Sequence, residues 1–426
     1  MRRAVLTGSA AAVLLLPAPL RAGTLVEAVP ARDPDHEVVD PALVGVRRSA
    51  LIEAELTLAR AVHRGLLPGA ALAVGRRDRV VIERGLGRLD GSFAAPVIDP
   101  DRTLFDLASL TKVVATTAGV MVLFEQGKLR LDDPVARYLP GFTGGGRERI
   151  TVRQLLTHTA GLPEGRDLFG PPPFAWAQLL STEPVRPPGS TVRYSDVGFA
   201  ILWKVLEAAA GESPYRLLDR YVFGPLGMRS TTFLPGAGCA FCAPTWWSHG
   251  GPVAGVVHDP MARALGGVSG HAGLFATLHD IARFAAMMAN DGELDGRRIF
   301  RRETVRLFTT PQPGCGTRAL GWDTRPPDGG GAVGVRMSPR AFGHTGFTGT
   351  SLWIDPETGL WVVLLSNRTL IGTASGQMQQ LRRTVHDLIT AGLEPWPTWA
   401  RPLGRSPRAE LPRAGDPAGL ADSREP

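Results

Sequence analysis

Lysine is nearly absent from this chain. Of 47 basic residues only Lys112, Lys128 and Lys204 are lysines, and the other 44 are arginines. Arginine keeps its proton at any ordinary pH, whereas a buried lysine can give one up. A lysine at position 112, in a chain that otherwise writes arginine, marks a place where a titratable amine has a use. Cysteine is scarce too, at Cys239, Cys242 and Cys315. One Cys-x-x-Cys does not make the four-ligand set of a structural zinc site, and three cysteines do not make a disulfide scaffold. In an exported protein Cys239 and Cys242 can close a small disulfide loop, which leaves Cys315 odd. None of the three is read as catalytic. Long apolar runs are missing as well. Ala10 to Leu16 is too short to span a bilayer, and no later stretch approaches the ~20 apolar residues that a span needs, so no stable membrane span is expected. The formal net charge of +7 falls to +4 once Arg2, Arg3 and Arg21 are set aside. No Lys/Arg cluster is interleaved with aromatics, so the basic balance does not argue for nucleic acid. It suits work near anionic polymers of a cell envelope.

What is present begins with an export signal over residues 1–22. Arg2-Arg3 start it, the short apolar run follows, and Ala18 and Ala22 are cleavage positions; a Sec or a twin-arginine reading both fit. The destination expected is periplasmic or extracellular. Residues 23–45 read as a linker, 46–393 as one folded domain, and 394–426, rich in Pro, Arg and Ala, as a disordered tail. A length of 426 residues and 44% hydrophobic content allow an ample core.

Within the domain the periodicity changes twice. A helix is expected near 48–64, then two short strands, Gly69–Val74 and Val80–Glu83, joined by the turn Arg76-Arg77-Asp78. A helix from about Ser109 to Gln126 carries Leu110, Val113, Val114, Thr117, Met121 and Phe124 on one stripe, and Gly127 stops it. Asp133 before Pro134 opens a new turn, with proline at the first helical position. From about 135 to 300 the pattern is helical, with a capped start at Thr151 and another helix through Phe199–Ala209. Pro-rich loops fall at 170–174 and 184–189, and an irregular stretch at 235–275. Thr277 caps a helix through Met288. Strands return at 341–348, 351–355 and 360–365, and a helix through Met378 to Ile389 closes the domain. The fold class is therefore α+β: an antiparallel sheet built from both chain ends and flanked by helices, with an all-helical lobe inserted between. The cleft would lie where the two lobes meet.

The stretch Ser109-Leu-Thr-Lys112 sets a hydroxyl and an amine three residues apart, so both share one helix face near its N-terminus. Alone, Ser-x-x-Lys is a weak motif. Two more follow it: Tyr194-Ser-Asp196, before a helix of the middle segment, and His344-Thr-Gly346, on the first strand after it. In this order and with these gaps the three motifs resemble the penicillin-recognising serine hydrolases, which include class C-type β-lactamases, D,D-peptidases and related esterases. Leu131-Asp-Asp-Pro-Val-Ala-Arg-Tyr-Leu-Pro140, Ile150-Thr-Val-Arg-Gln-Leu-Leu-Thr-His-Thr-Ala-Gly-Leu162, Pro225-Leu-Gly-Met228 and His344-Thr-Gly-Phe-Thr-Gly349 look like further segments of that family.

The resemblance implies roles. Ser109 would be the nucleophile of an acyl-enzyme. Lys112 would manage its proton, most usefully with a lowered pKa, and Tyr194 would be the partner base, its phenolate held by ammonium-type neighbours. The N–H groups of Ser109 and Phe347 would form an oxyanion hole, and His344, Thr345, Gly346 and Phe347 would line up an extended substrate. No cofactor and no metal are implied. Two departures stand out. Asp196 replaces the asparagine of many relatives, and it cannot donate an amide N–H to a substrate carbonyl. His344 replaces a lysine, turning a fixed positive charge into a titratable one. Both changes point away from efficient β-lactam hydrolysis. Val257-His-Asp-Pro260, followed by Leu265-Gly-Gly-Val-Ser-Gly-His271-Ala-Gly273, resembles a loop of exported hydrolases linked to peptidoglycan turnover. It offers His258, Asp259 and His271 as substrate-binding residues, against the alternative of a hydrogen-bonded brace beneath the cleft. Their spacing is loose for a metal.

The expected activity is hydrolysis of an amide or ester in a cell-wall peptide or small ester, with a small-molecule or peptidoglycan-derived partner. A true β-lactamase is one alternative. An inactive penicillin- or peptidoglycan-binding protein is the other.

Overall fold

The computed structural model describes residues 38–396. The expected leader, most of the expected linker and all but residues 394–396 of the expected tail lie outside the described residues. The main sheet has six strands in the order Asp323–Thr324, Phe342–Thr345, Ser351–Ile354, Leu360–Ser366, Gly69–Arg76, Arg79–Gly87, each antiparallel to its neighbour. Its centre joins the two ends of the chain. Ala70 pairs with Ser366 and Arg76 with Leu360, across nearly 300 residues of sequence. The hairpin turns on Arg77, at φ 54°, and Asp78.

Period-two alternation decides which side each strand residue serves. Ala70, Leu72, Val74, Val362 and Leu364 face a core closed by the first helix, Arg48–His63, and the last, Ser375–Ala391. Ala71, Ala73, Val363 and Leu365 face the larger core. There the helix Leu278–Ala289 lies against the sheet, capped by the Thr277 side chain as its sequence predicts. Every residue of the two central strands is buried, so they read as continuous apolar runs.

The middle segment is helical, with short ladders added. Phe105–Asp106, Leu274–Ala276 and Thr232–Phe233 form a three-stranded sheet that presents the chain to Ser109. The long irregular stretch after 235 holds a small hairpin, Trp246–Ser248 with Gly251–Val253, and one helical turn, Pro260–Ala264. Cys239 and Cys242 are joined in a disulfide, and Cys315 is free.

Three local expectations change in detail. The helix after Ser109 is not amphipathic: residues 110–123 are buried on every face. It begins as a 3-10 turn, Ala108–Leu110, runs as a π-helix over Lys112–Thr117 and continues as an α-helix over Ala118–Glu125. Among the described residues it is the helix long and apolar enough to cross a membrane, and its burial makes it the spine of the core. Pro134 caps a single 3-10 turn, Val135–Arg137, rather than sitting inside a helix. The prolines after Gly170 start the helix Pro172–Leu180, because a first turn needs no proline N–H.

The sheet also predicts where it resists change. A Cβ on Gly75 would stand 2.1 Å from Trp361 and 2.3 Å from the Arg79 carbonyl. Gly75→Ala should therefore lower unfolding free energy by about 1–3 kcal/mol, read from urea melts, as overpacking generally does.

Candidate active site

Asp106 builds the turn that carries Ser109. Its carboxylate accepts from the Ala108 N–H at 2.9 Å and from the His258 N–H at 2.6 Å. Ala108 is thereby held at φ 46°, an uncommon conformation for a residue with a Cβ. The same turn is tied to the end of the strand Phe342–Thr345. Thr348 Oγ1 donates to the Asp106 carbonyl at 2.7 Å and Thr350 Oγ1 to the Leu107 carbonyl at 2.9 Å. A Cβ on Gly346 would stand 2.0 Å from Thr350 Oγ1 and 2.4 Å from the Leu107 carbonyl, so only glycine fits this approach.

Around Ser109 the three sequence motifs converge. Lys112 Nζ donates to Ser109 Oγ at 2.8 Å, and the Tyr194 hydroxyl donates to the same oxygen at 3.0 Å. Lys112 Nζ also donates to the His271 carbonyl at 3.0 Å and is ion-paired with Asp196 Oδ1 at 2.6 Å. The ammonium thus has two hydrogen-bond acceptors and one ion-pair partner, in a side chain with no solvent exposure.

These contacts reverse two electrostatic expectations. Burial works to lower the Lys112 pKa, but the Asp196 charge and Tyr194 together outweigh it, so Lys112 lies above its ordinary value. Tyr194 is raised as well, by burial first and with Asp196 adding to it, while Lys112 opposes. Only one ammonium, not two, faces the phenol. The resting site is a charged lysine and a neutral phenol.

His344 is not the titratable charge that its type suggests. Burial, then the charges of Lys112 and Arg318, lower it to about 3. Its Nδ1–H donates to the Thr345 carbonyl at 2.8 Å, which leaves Nε2 as an acceptor with no protein partner among the described residues.

A cleft of about 770 Å³ opens over these groups. Ser109, Tyr194, Asp196, His258, Asp259, His344, Thr345, Gly346 and Phe347 line it, as expected. His271 does not. Its ring is buried, with Nδ1 at 2.9 Å from Ser269 Oγ and Nε2 at 2.8 Å from Asp259 Oδ1. The main chain of His271 reaches Lys112, and its side chain braces the loop.

Three residues escape the motif reading. Asp106 is one. Another is His158, whose ring lies 4.5 Å from that of Tyr194 and whose Nδ1 accepts the Ser195 N–H at 3.0 Å. Burial, then Arg318 and Lys112, hold it well below its ordinary pKa, so it is a neutral support. The signal for it was the segment Thr157-His-Thr159, quoted for its likeness but silent on its contact. Arg318, whose guanidinium lies 5.5 Å from the Tyr194 ring centre, supplies a cleft cation that no motif announced.

Metal-ligating types gather elsewhere. Glu83, Asp101 and His279 place donor atoms within 4.8 Å of one another, outside the lining of this cleft. Burial lowers His279, but Glu83, Asp280 and Asp101 outweigh it and raise its pKa, as expected of an ion-paired histidine.

Comparison with known proteins places the geometry. A family model described as Beta-lactamase matches residues 54–383. A Salmonella typhi protein named putative D-alanyl-D-alanine carboxypeptidase is 31% identical over 344 residues, covering 71% of this chain and 79% of that one. Among solved structures, a penicillin-binding protein homolog from Caulobacter crescentus aligns with TM-score 0.66 at 22% identity, over 81% of this chain and 99% of its own. EstCE1, described as a hydrolase with promiscuous acyltransferase activity, aligns with TM-score 0.64 at 24% identity, over 80% and 99%.

The turn that carries Ser109 should lose stability as pH rises from acid to neutral. Burial raises the Asp106 pKa to about 6, against the His258 and Ala108 N–H groups that lower it. A carboxyl raised on folding contributes stability below its unfolded pKa of ~3.9, and that contribution is lost as pH rises through about 6. Two units correspond to ~2–3 kcal/mol. Urea melts at pH 4 and pH 7 should show wild type losing about that much more stability than Asp106→Asn over the interval. Parallel curves would assign the titration to other groups.

Proposed function

The chain belongs to the beta-lactamase family, and from that premise we propose that it is an exported serine hydrolase that forms an acyl-enzyme on Ser109 and cleaves an amide or ester bond of a cell-wall peptide or small ester. One observation carries the reading. Ser109 Oγ is held between Lys112 Nζ and the Tyr194 hydroxyl at 2.8 and 3.0 Å, facing an open cleft.

Attack by Ser109 on a carbonyl carbon releases the hydroxyl proton. Lys112 does not take it, because it is already an ammonium with no lone pair, bonded to Ser109 and His271 and paired with the Asp196 charge. The acceptor is the Tyr194 oxygen in its phenolate form, a minor population at neutral pH that the neighbouring ammonium stabilises. Tyr194 then returns that proton to the leaving nitrogen or oxygen. The N–H groups of Ser109 and Phe347 receive the developing oxyanion. Water brings the acyl group off by the reverse sequence.

Two side chains bear on the substrate class. Neutral His344 gives no cation to a β-lactam carboxylate, and Asp196 gives no amide donor. The cleft instead offers an imidazole acceptor and the guanidinium of Arg318. A name such as D-alanyl-D-alanine carboxypeptidase among relatives supports a peptide amide as substrate. The disulfide Cys239–Cys242 supports an oxidising destination, in keeping with a leader over residues 1–22. We place the catalytic domain at residues 46–393.

Turnover of a p-nitrophenyl ester tests this. Ser109→Ala should abolish it with the fold intact by circular dichroism, and Tyr194→Phe should cut kcat by about 10²–10⁴-fold. Because the reactive phenolate grows as pH rises toward a raised phenol pKa, kcat/KM should climb steadily from pH 7 to 9. Undiminished hydrolysis by Ser109→Ala would remove the proposal. Cephalosporin hydrolysis faster than ester hydrolysis would replace it with the β-lactamase alternative.

A further inference from the structure

Lys112 has one acceptor that is neither nucleophile nor counter-charge: the carbonyl of His271. What fixes that carbonyl is unusual. The His271 ring is buried and held at both nitrogens, by Ser269 Oγ at 2.9 Å and by Asp259 Oδ1 at 2.8 Å. Asp259 is held in turn, since the same oxygen accepts the Ala262 N–H at 2.7 Å. The preceding carbonyl, of Gly270, accepts from Thr116 Oγ1 at 2.7 Å, one turn along the nucleophile helix from Lys112. Glycine is required at 270, because a Cβ would stand 2.3 Å from the Phe199 carbonyl. Two successive carbonyls are thus pressed against the helix that bears Ser109 and Lys112, and the ring between Asp259 and Ser269 locks the second of them.

Resting on the reading that Ser109 is the nucleophile, we propose that Asp259 and His271 are positioning residues that aim Lys112 at Ser109. The chain of contacts runs from Asp259 to the His271 ring, through the His271 main chain to Lys112 Nζ, and from there to Ser109 Oγ. Without the carbonyl the ammonium keeps one hydrogen-bond acceptor, Ser109, and is free to rotate toward the Asp196 charge. Its field on Ser109 and on the Tyr194 phenolate then weakens, and an error of about 1 Å in such a group can cost ~10²-fold. Asp259 also faces the cleft, so substrate contact is the competing explanation for any loss. The two are separable. A substrate contact acts on KM. A positioning residue acts on kcat and on the titration of Tyr194.

The test uses the whole protein, a p-nitrophenyl ester and a serine-directed fluorophosphonate. Asp259→Ala and His271→Ala should slow both kcat and labelling of Ser109 by about 10–100-fold, with KM within about twofold. The rise of kcat/KM with pH should move to higher pH, because the phenolate has lost part of its cation. Asp259→Asn keeps a side-chain oxygen for the His271 and Ala262 N–H groups, and should regain most of kcat. If an alanine variant does not fold, Asp259→Ser, which can keep the Ala262 cap but is too short to reach the His271 ring, and His271→Gln carry the same readouts. Wild-type labelling rates in the folded alanine, serine or glutamine variants, or a change in KM alone with the pH profile unmoved, would overturn the positioning role and leave Ser109 in place. Ester turnover that survives Ser109→Ala would instead overturn the reading beneath it.

Discussion

One buried ammonium organises the catalytic half of this molecule. Lys112 has no solvent, and a lone charge there would be costly by several kcal/mol. Each of its three partners comes from a different part of the chain: Ser109 from its own helix, Asp196 from the start of the helix Asp196–Ala210, and His271 from the loop before the strand Leu274–Ala276. Satisfying the charge therefore assembles the site. The same requirement explains why the helix turns as a π-helix from Lys112: a locally widened helix is a common accommodation at functional positions.

The second constraint is the tie between the Ser109 turn and the strand carrying His344. Thr348 and Thr350 donate to the Asp106 and Leu107 carbonyls, and Gly346 lets the two backbones meet. Arg382, on the last helix, donates to the Gly346 and Thr350 carbonyls from behind. The wall of the cleft is in this way a continuation of the main sheet, with its position set by hydrogen bonds rather than by loop packing.

Much of this was legible residue by residue. Thr151 and Gln154 form the capping box that their spacing implies, and the hairpin at Arg77-Asp78 falls where the polar turn was. Ser109, Tyr194 and His344 could be paired from motif order. Their charge states could not. Asp196 lifts Lys112 only because the fold brings the two to 2.6 Å, and burial silences His344 only because the strand turns it inward. The spacing of Leu110, Val113 and Met121 reads as one stripe, yet surrounding elements cover every side of that helix. The His158–Tyr194 contact and the His258 N–H on Asp106 join residues 36 and 152 positions apart. No local pattern encodes such pairs.

The central pairing of the main sheet has a consequence for biogenesis. The strand Gly69–Arg76 is made nearly 300 residues before its partner Leu360–Ser366. At the ribosome's pace of about 5–20 residues per second the first hairpin waits roughly 15–60 s for the strand that covers its open edge. During that wait Ser109, Lys112 and Tyr194 all exist, but His344 and the sheet beneath it do not. A chain ended before Phe342 would carry Ser109 without the strand that forms one wall of its cleft. The cleft is complete only once that strand has joined the main sheet.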